Sequence, residues 1–359
     1  MKDSHFEENS LASCGERAWP EDGIEEVSAC PVCGGQRRRL LYEDLTDRIF
    51  FCAPGKWSMY ACGECGTVYL DPRPNQAAIG LAYSVYFTHQ QGNDVDVMPK
   101  GLVARLRRLV GNSYRNWRYG TSTRPSFPLG FLLALLMPEK RRAIDASMRH
   151  MPKPNSGARL LDFGCGNGEF LEVIKNAGWE VRGIDFDLEA VKAAKHKGLD
   201  VIQGGVDELA QFDGMFDQIT LSHVIEHVHQ PERLLSLCYR ALKPDGRLWL
   251  ETPNINAQGH EKYGVNWRGL EPPRHLMLFN QQSLTLLLNK AGFQRIEIMP
   301  HNPVIPTVFG ASEAIEAGED PWTQAGKWAS LLQHQWKTYR EAAAKDPMKR
   351  EFLTVAAIK

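Results

Sequence analysis

Three groups of residues in this chain have the types and spacing to do chemistry. The first is a pair of cysteine turns, Cys30-Pro31-Val32-Cys33-Gly34-Gly35 and Cys62-Gly63-Glu64-Cys65-Gly66. A CxxC turn aims two thiolates at one point, and the glycine after it lets backbone amides face the sulfurs. Together Cys30, Cys33, Cys62 and Cys65 make the donor set of a closed tetrahedral zinc site, structural because no coordination position stays open. A redox dithiol needs only one such pair. The second group is Leu160-Leu161-Asp162-Phe163-Gly164-Cys165-Gly166-Asn167-Gly168 followed by Asp185-Phe186. Glycines between a strand and a helix let backbone approach a nucleoside-type ligand and offer helix N-terminal amides to it. Asp185, at the end of the next strand, is placed to accept hydrogen bonds from both ribose hydroxyls, with Phe186 covering the adenine face.

The third group holds the candidates for proton transfer. His223, Glu226, His227 and His229 follow one strand and place His223, Glu226 and His227 on one helical face. The loop Gly259 to Asn280 carries His260, Tyr263, Trp267, Arg268, Glu271, Arg274 and His275. Histidine titrates near neutral pH and suits a base. His275 is the first choice for a base or acceptor-orienting residue, and His227 the second. The plainer reading of His227 is a ring that bonds backbone and holds its turn; His229 and His260 read as solvated. HxxEH spacing without a third ligand argues against a metal there.

These groups need elements to position them. From Arg159 onward strand and helix signals alternate, the pattern of a parallel sheet covered by helices. Strands are predicted at Leu160–Phe163, Glu180–Ile184, Asp200–Gln203, Gln218–Ser222 and Arg247–Thr252. A helix (QQSLTLLLNKAGF), a strand (RIEIM), a helical stretch from Trp322 to Lys345 and a last strand, Leu353–Ile358, follow. Residues 1–25 read as a polar tail, 26–75 as a zinc-binding module, 76–156 as a helical connector or lid, and 157–359 as the catalytic domain with a helical insertion at about 311–350. The apolar run Phe127 to Met137 is shorter than the ~20 residues that span a bilayer and reads as a buried or surface-docking helix.

Composition narrows the class. Lys and Arg number 42 against 43 Asp and Glu, so no global basic field exists to hold a nucleic-acid backbone. The start is polar and acidic, unlike a signal peptide, and the paired cysteines suit a reducing compartment, so a cytoplasmic protein is expected. Oligomeric state is not readable.

The segments LLDFGCGNGEF, VRGIDFD, FDQITLSHVIEHV, ALKPDGRLWLETPN and AGFQRIEI, in that order, resemble class I S-adenosylmethionine-dependent methyltransferases. The resemblance implies an α/β, Rossmann-like, doubly wound seven-stranded sheet with a final antiparallel hairpin, here behind a small zinc-binding module. It places S-adenosyl-L-methionine across the carboxyl ends of the first strands. Asp162, Gly164, Gly166 and Gly168 would border the methionine and ribose, Asp185 the ribose, and Ser222 and His223 the methionine end. Many relatives carry an acid after the third strand for the adenine amino group; this chain reads Gly204-Gly205-Val206-Asp207, leaving backbone amides or Asp207 for that contact. A four-cysteine module ahead of such a core also resembles bacterial sugar methyltransferases and those of surface-polysaccharide clusters, which implies a small-molecule or carbohydrate-type acceptor, at oxygen, nitrogen or carbon. LSHVIEHV departs from the pattern of methyltransferases acting on DNA bases. The alternatives are a non-catalytic assembly protein that binds cofactor and zinc, and an NAD-dependent oxidoreductase, whose fold places glycines and an acid in the same way.

Overall fold

The computed structural model describes residues 19–83 and 101–359. The tail reading over residues 1–18 and the connector reading over 84–100 lie outside the described residues.

The N-terminal module is built from short strands, β1 (Ile24–Glu25), β2 (Arg38–Leu45), β3 (Trp57–Cys62), β4 (Val68–Leu70) and β5 (Arg73–Pro74). β2, β3 and β4 form an antiparallel meander, and β1 pairs with β5. β3 shows the period-two burial of a half-covered strand, with Trp57, Met59 and Ala61 buried between the half-buried Ser58 and Tyr60. The glycine after the second CxxC has a steric reason: Gly66 has φ +72°, and a Cβ there would lie 2.5 Å from Asn280 Nδ2.

Helices α1 (Leu102–Tyr119), α2 (Gly130–Leu135) and α3 (Pro138–Ser147) follow. Their inner residues Val110, Tyr114, Ile144 and Met148 share one apolar cluster with Leu160, Leu171, Ile174 and Trp179 of the next domain.

That domain runs β6 (Arg159–Phe163), α4 (Glu169–Asn176), β7 (Glu180–Asp185), α5 (Leu188–His196), β8 (Val201–Gln203), β9 (Phe216–Ser222), α6 (Pro231–Ala241) and β10 (Leu242–Pro253). It continues through α7 (Gln258–Tyr263), β11 (Met277–Leu278), α8 (Gln281–Lys290), β12 (Arg295–Ile298), α9 (Ile305–Glu316), α10 (Pro321–Leu332), α11 (Lys337–Lys345) and β13 (Phe352–Ile358). Seven strands form one sheet in the order β12-β13-β10-β9-β6-β7-β8. β8, β7, β6, β9 and β10 are parallel, and β13 runs antiparallel to both β10 and β12. Alternate residues of β6 face opposite layers: Leu160 joins Leu171, Ile174 and Val191, whereas Leu161 and Phe163 join Leu234, Leu235 and Cys238. The strand order reverses between β6 and β9, which opens a crevice at their carboxyl ends. This is the α/β fold expected from the alternating pattern.

Two local features differ from the sequence reading. HVIEHV forms only a single 3-10 turn, Ile225–His227, because Pro231 opens α6 four residues later. The loop after β10 also contributes β11, which pairs with β4 and completes the module's four-stranded sheet. Two residues carry no readable periodicity, so that strand exists only through its tertiary partner.

Candidate active site

The glycine turn and the acid after it meet in space. Gly164, Gly166 and Gly168 all have positive φ (+78°, +53° and +80°), the region where a side chain is strained. A Cβ on Gly164 would lie 2.5 Å from Val224 and one on Gly168 2.4 Å from Leu199, whereas one on Gly166 would meet nothing within 4 Å. The turn is therefore packed at both ends and open at its middle, the shape of a cradle. Asp185 Oδ2 accepts from Gly166 N at 2.7 Å and Oδ1 from Asp187 N at 2.9 Å. Burial raises its carboxyl above the usual range, and those two amides partly offset this. Phe186, beside it, is exposed.

Asp162 is buried. Its Oδ1 accepts from Thr220 Oγ1 at 2.7 Å and from Arg149, while Oδ2 has no partner. Burial raises Asp162 and the Arg149 guanidinium opposes that. An unpaired buried carboxylate oxygen is costly, so it marks a place for a cationic or donor group. Arg149 was not visible from sequence. It sits just after α3, holds φ 49°, stacks 3.6 Å over Phe170 and also donates to Thr220 Oγ1 at 2.9 Å. Asp207 turns away to the surface, pairing with Arg233 at 2.5 Å.

Beside the cradle lies a cluster of imidazoles and carboxylates. Ser222 ends β9, and His223 follows with φ 53°. His223 Nδ1 lies 3.3 Å from Glu226 Oε1 and Nε2 lies 3.6 Å from Glu251 Oε1. Desolvation would depress this histidine, but the two carboxylates prevail and raise it to about 10, so it is an imidazolium at neutral pH. Glu226 is fully buried, with Oε2 bound by Thr252 Oγ1 at 2.9 Å. Burial notwithstanding, His223 and the nearby histidines hold it down at about 2.

His227 and His275, 48 residues apart in sequence, face each other with ring centroids 4.8 Å apart. Nδ1 of His227 lies 2.9 Å from Arg274 O, and Nδ1 of His275 lies 2.8 Å from Gly269 O. A carbonyl only accepts, so each Nδ1 carries a proton, and in the neutral ring of His275 Nε2 is left as the acceptor. Burial is the main reason His275 falls to about 4, and it is neutral at pH 7. The backbone bond expected of His227 under its plainer reading is present. Donor atoms of Glu226, His227 and His275 all lie within 4.8 Å of one another, so the loop supplies the third donor that HxxEH lacked in sequence.

Tyr83 joins the two halves: its ring meets Phe186 at 5.2 Å and its hydroxyl lies 3.0 Å from His227 Nδ1. Nothing in the sequence around Tyr83 signals this. His229 and His260 are not solvated as expected. His229 Nε2 bonds Pro74 O at 2.9 Å, and His260 Nε2 lies 2.8 Å from Tyr42 OH, so both rings pin the module to the domain.

The loop that carries His275 is anchored by buried charge. Arg274, fully buried, donates to both oxygens of Asp47 at 2.5 and 3.0 Å, to Glu271 at 3.0 Å and to Ala82 O at 2.8 Å. Asp47 also accepts the amides of Ile49, Phe50, Cys52 and Ala53. Burial would raise Asp47, yet these donors hold it below the usual carboxylate range. Next to them a cavity of about 180 Å³ is lined by Arg48, Ile49, Trp267, Leu270, Glu271 and Ile315. Glu271 reaches within 3.8 Å of His275 Nε2, so the cavity adjoins the candidate base.

In the module, Sγ of Cys30 and Cys65 are 3.6 Å apart and those of Cys33 and Cys62 are 3.5 Å apart. Bonds of about 2.3 Å to one zinc require tetrahedral edges of roughly 3.8 Å, which these separations approach. Gly35 N and Glu64 N point at Cys33 and Cys62, each at 3.4 Å, as the glycine argument expects.

Comparison with known proteins finds similarity over one stretch of the chain. Residues 137–298 match the family described as a methyltransferase domain. Over that stretch the chain is similar to a methyltransferase domain. A ubiquinone biosynthesis O-methyltransferase of Xanthomonas oryzae pv. oryzae is 39% identical to it over 106 residues, covering 28% of this chain and 44% of that protein. The mitochondrial ubiquinone biosynthesis O-methyltransferase of Mus musculus is 36% identical over 122 residues, covering 30% and 32%. The chain thus spans less than half of these relatives. A solved methyltransferase of Archaeoglobus fulgidus is 22% identical over 63% of this chain and 99% of its own, with a TM-score of 0.42. The matched residues include Asp162, the glycine cradle, Asp185, His227 and His275. The cysteine module and Tyr83 lie outside the matched residues. Among the described residues, no helix is long and apolar enough to cross a membrane.

Proposed function

We propose that this chain transfers a methyl group from S-adenosylmethionine to a hydroxyl of a small-molecule acceptor seated between the module and the His275 loop. One observation carries the reading: His227 and His275 converge at 4.8 Å beside the cofactor cradle, each ring oriented by a carbonyl on Nδ1. Bound cofactor supplies an electrophilic methyl on sulfonium. The residues then align the acceptor and receive its proton, with His275 as base, His227 as its neighbour and Tyr83 closing over Phe186. The names of the relatives support oxygen as the acceptor atom. The cavity beside Glu271 supports a small acceptor, and the carbohydrate class belongs to this proposal through the module's resemblance. We propose equally that Cys30, Cys33, Cys62 and Cys65 hold a structural zinc that fixes β2 to β4, since their sulfurs stand at tetrahedral spacing. The limits proposed for the functional units follow: a zinc module over 26–75, a helical connector over 76–156, and the catalytic domain from 157.

A second reading rests on Glu226, His227 and His275. Their donor set suits a divalent cation that would position the acceptor hydroxyl, and activity abolished by a chelator and restored by one added metal favours it over a free base. No observation favours the assembly-protein or oxidoreductase alternatives.

The test of the cofactor reading is calorimetric titration with S-adenosylhomocysteine, with metal analysis and an Asp185→Ala control. Binding weakened about 100-fold in the control, as expected for losing hydrogen bonds to an ionised group, supports the reading. Clear binding of NAD with none of S-adenosylhomocysteine overturns it.

A further inference from the structure

The connector helices have two apolar sides, and only one is covered. Val110, Tyr114, Ile144 and Met148 face the domain, as described above. On the outside stand Leu102 (84% exposed), Val103, Leu106 and Trp117 of α1, and Leu129, Leu132, Leu133, Leu135 and Leu136 (79% exposed) on and around α2. α1 and α2 pack against each other, and Trp117 stacks on Phe131 with centroids at 4.8 Å, so the two sets form one surface. Scattered exposed leucines are normal, but so many on adjacent elements mark an interaction face.

Charge says what kind of partner fits. Between Lys100 and Arg142 the chain carries ten Lys and Arg against the single acid Glu139, whereas the whole chain is near neutral. A second copy would bring this positive charge against itself. A nucleic-acid backbone would match the charge and waste the leucines. An anionic bilayer satisfies both, with apolar side chains entering the acyl boundary and arginines meeting lipid phosphates. We propose that α1 and α2 seat this protein on the surface of a negatively charged membrane. The same unit ends at Arg149, which donates to Asp162, so these helices lead directly into the cradle. This inference is independent of the acceptor chemistry.

The experiment is sedimentation of the full chain with phosphatidylcholine vesicles, with and without an equal part of phosphatidylglycerol. Three proteins are compared: the natural chain, Leu132→Asp/Leu133→Asp/Leu136→Asp, and Arg107→Glu/Arg118→Glu/Arg124→Glu. Strong retention by the anionic vesicles only, weakened by salt, is expected. Removing each positive charge should reduce it roughly fivefold, and the leucine variant should release the protein while keeping its Tm and its binding of S-adenosylhomocysteine. Equal retention on both vesicle types, or none, overturns the proposal. So does a concentration-dependent dimer that the leucine variant abolishes, or a fall in Tm in that variant, which would mean that the chain covers this face itself.

Discussion

The cofactor edge and the acceptor edge of the crevice adjoin, yet they are assembled in opposite ways. The cofactor edge is drawn almost wholly from one stretch between Arg159 and Asp185, whose backbone geometry makes the cradle and whose two acids line it. The acceptor edge is stitched from distant points. Asp47, Tyr83, Glu226, His275 and Glu351 each come from a different element, and they are held together by buried charge and hydrogen bonds. A contiguous site can bind its ligand whenever its strand and turn form. A stitched site is only as good as the long-range contacts that close it, and such a site is free to change acceptor when one of them changes.

Substitutions can break this contrast. The largest effect is expected for His275→Ala: a loss of about 10²- to 10⁴-fold in kcat with the affinity for S-adenosylhomocysteine unchanged, read by steady-state kinetics and calorimetry. An equal loss in both would mean that the two edges are one. Next comes Arg274→Ala, which strands Asp47 and Glu271 without their guanidinium. Breaking a buried pair costs about 3 to 5 kcal/mol, so denaturant unfolding should show a large loss of stability or a separate transition for the module. Unchanged stability would deny that this network closes the acceptor edge.

The smallest effect is one of pH. Glu351 is buried, accepts from Gly259 N and Trp267 Nε1, and is raised by burial to about 7. Because the folded form holds its proton more tightly than the unfolded chain, stability from this group is greatest below about pH 4.5. It declines as pH rises to 7, by up to about 3 kcal/mol. Glu351→Gln should flatten that part of the stability curve, measured by thermal unfolding across pH 4.5 to 7. A variant that follows the natural chain's pH dependence would remove Glu351 from this role.

The legibility of each edge follows its construction. The strand alternation, the glycine cradle with Asp185 and the spacing of the four cysteines are local patterns, dictated by strand and helix periodicity, by φ at glycine and by the reach of a thiolate pair. His227 and His275 were suggested by residue type, but not their contact. Arg149, Tyr83 and Glu251 gave no signal, since a lone arginine, tyrosine or glutamate has the same local character wherever it sits. The readings of His229 and His260 as solvated failed for the same reason: exposure depends on which other segment arrives, here Pro74 and Tyr42.

The sequence by itself determined the parallel sheet, the cofactor cradle and the four-sulfur set, because each depends on residues close along the chain. Only the tertiary structure decided that β11 completes the module's sheet, that Asp47 and Arg274 lock the loop, and that two histidines meet beside Glu226. Those outcomes depend on burial and on charges paired across hundreds of residues, which no local pattern encodes.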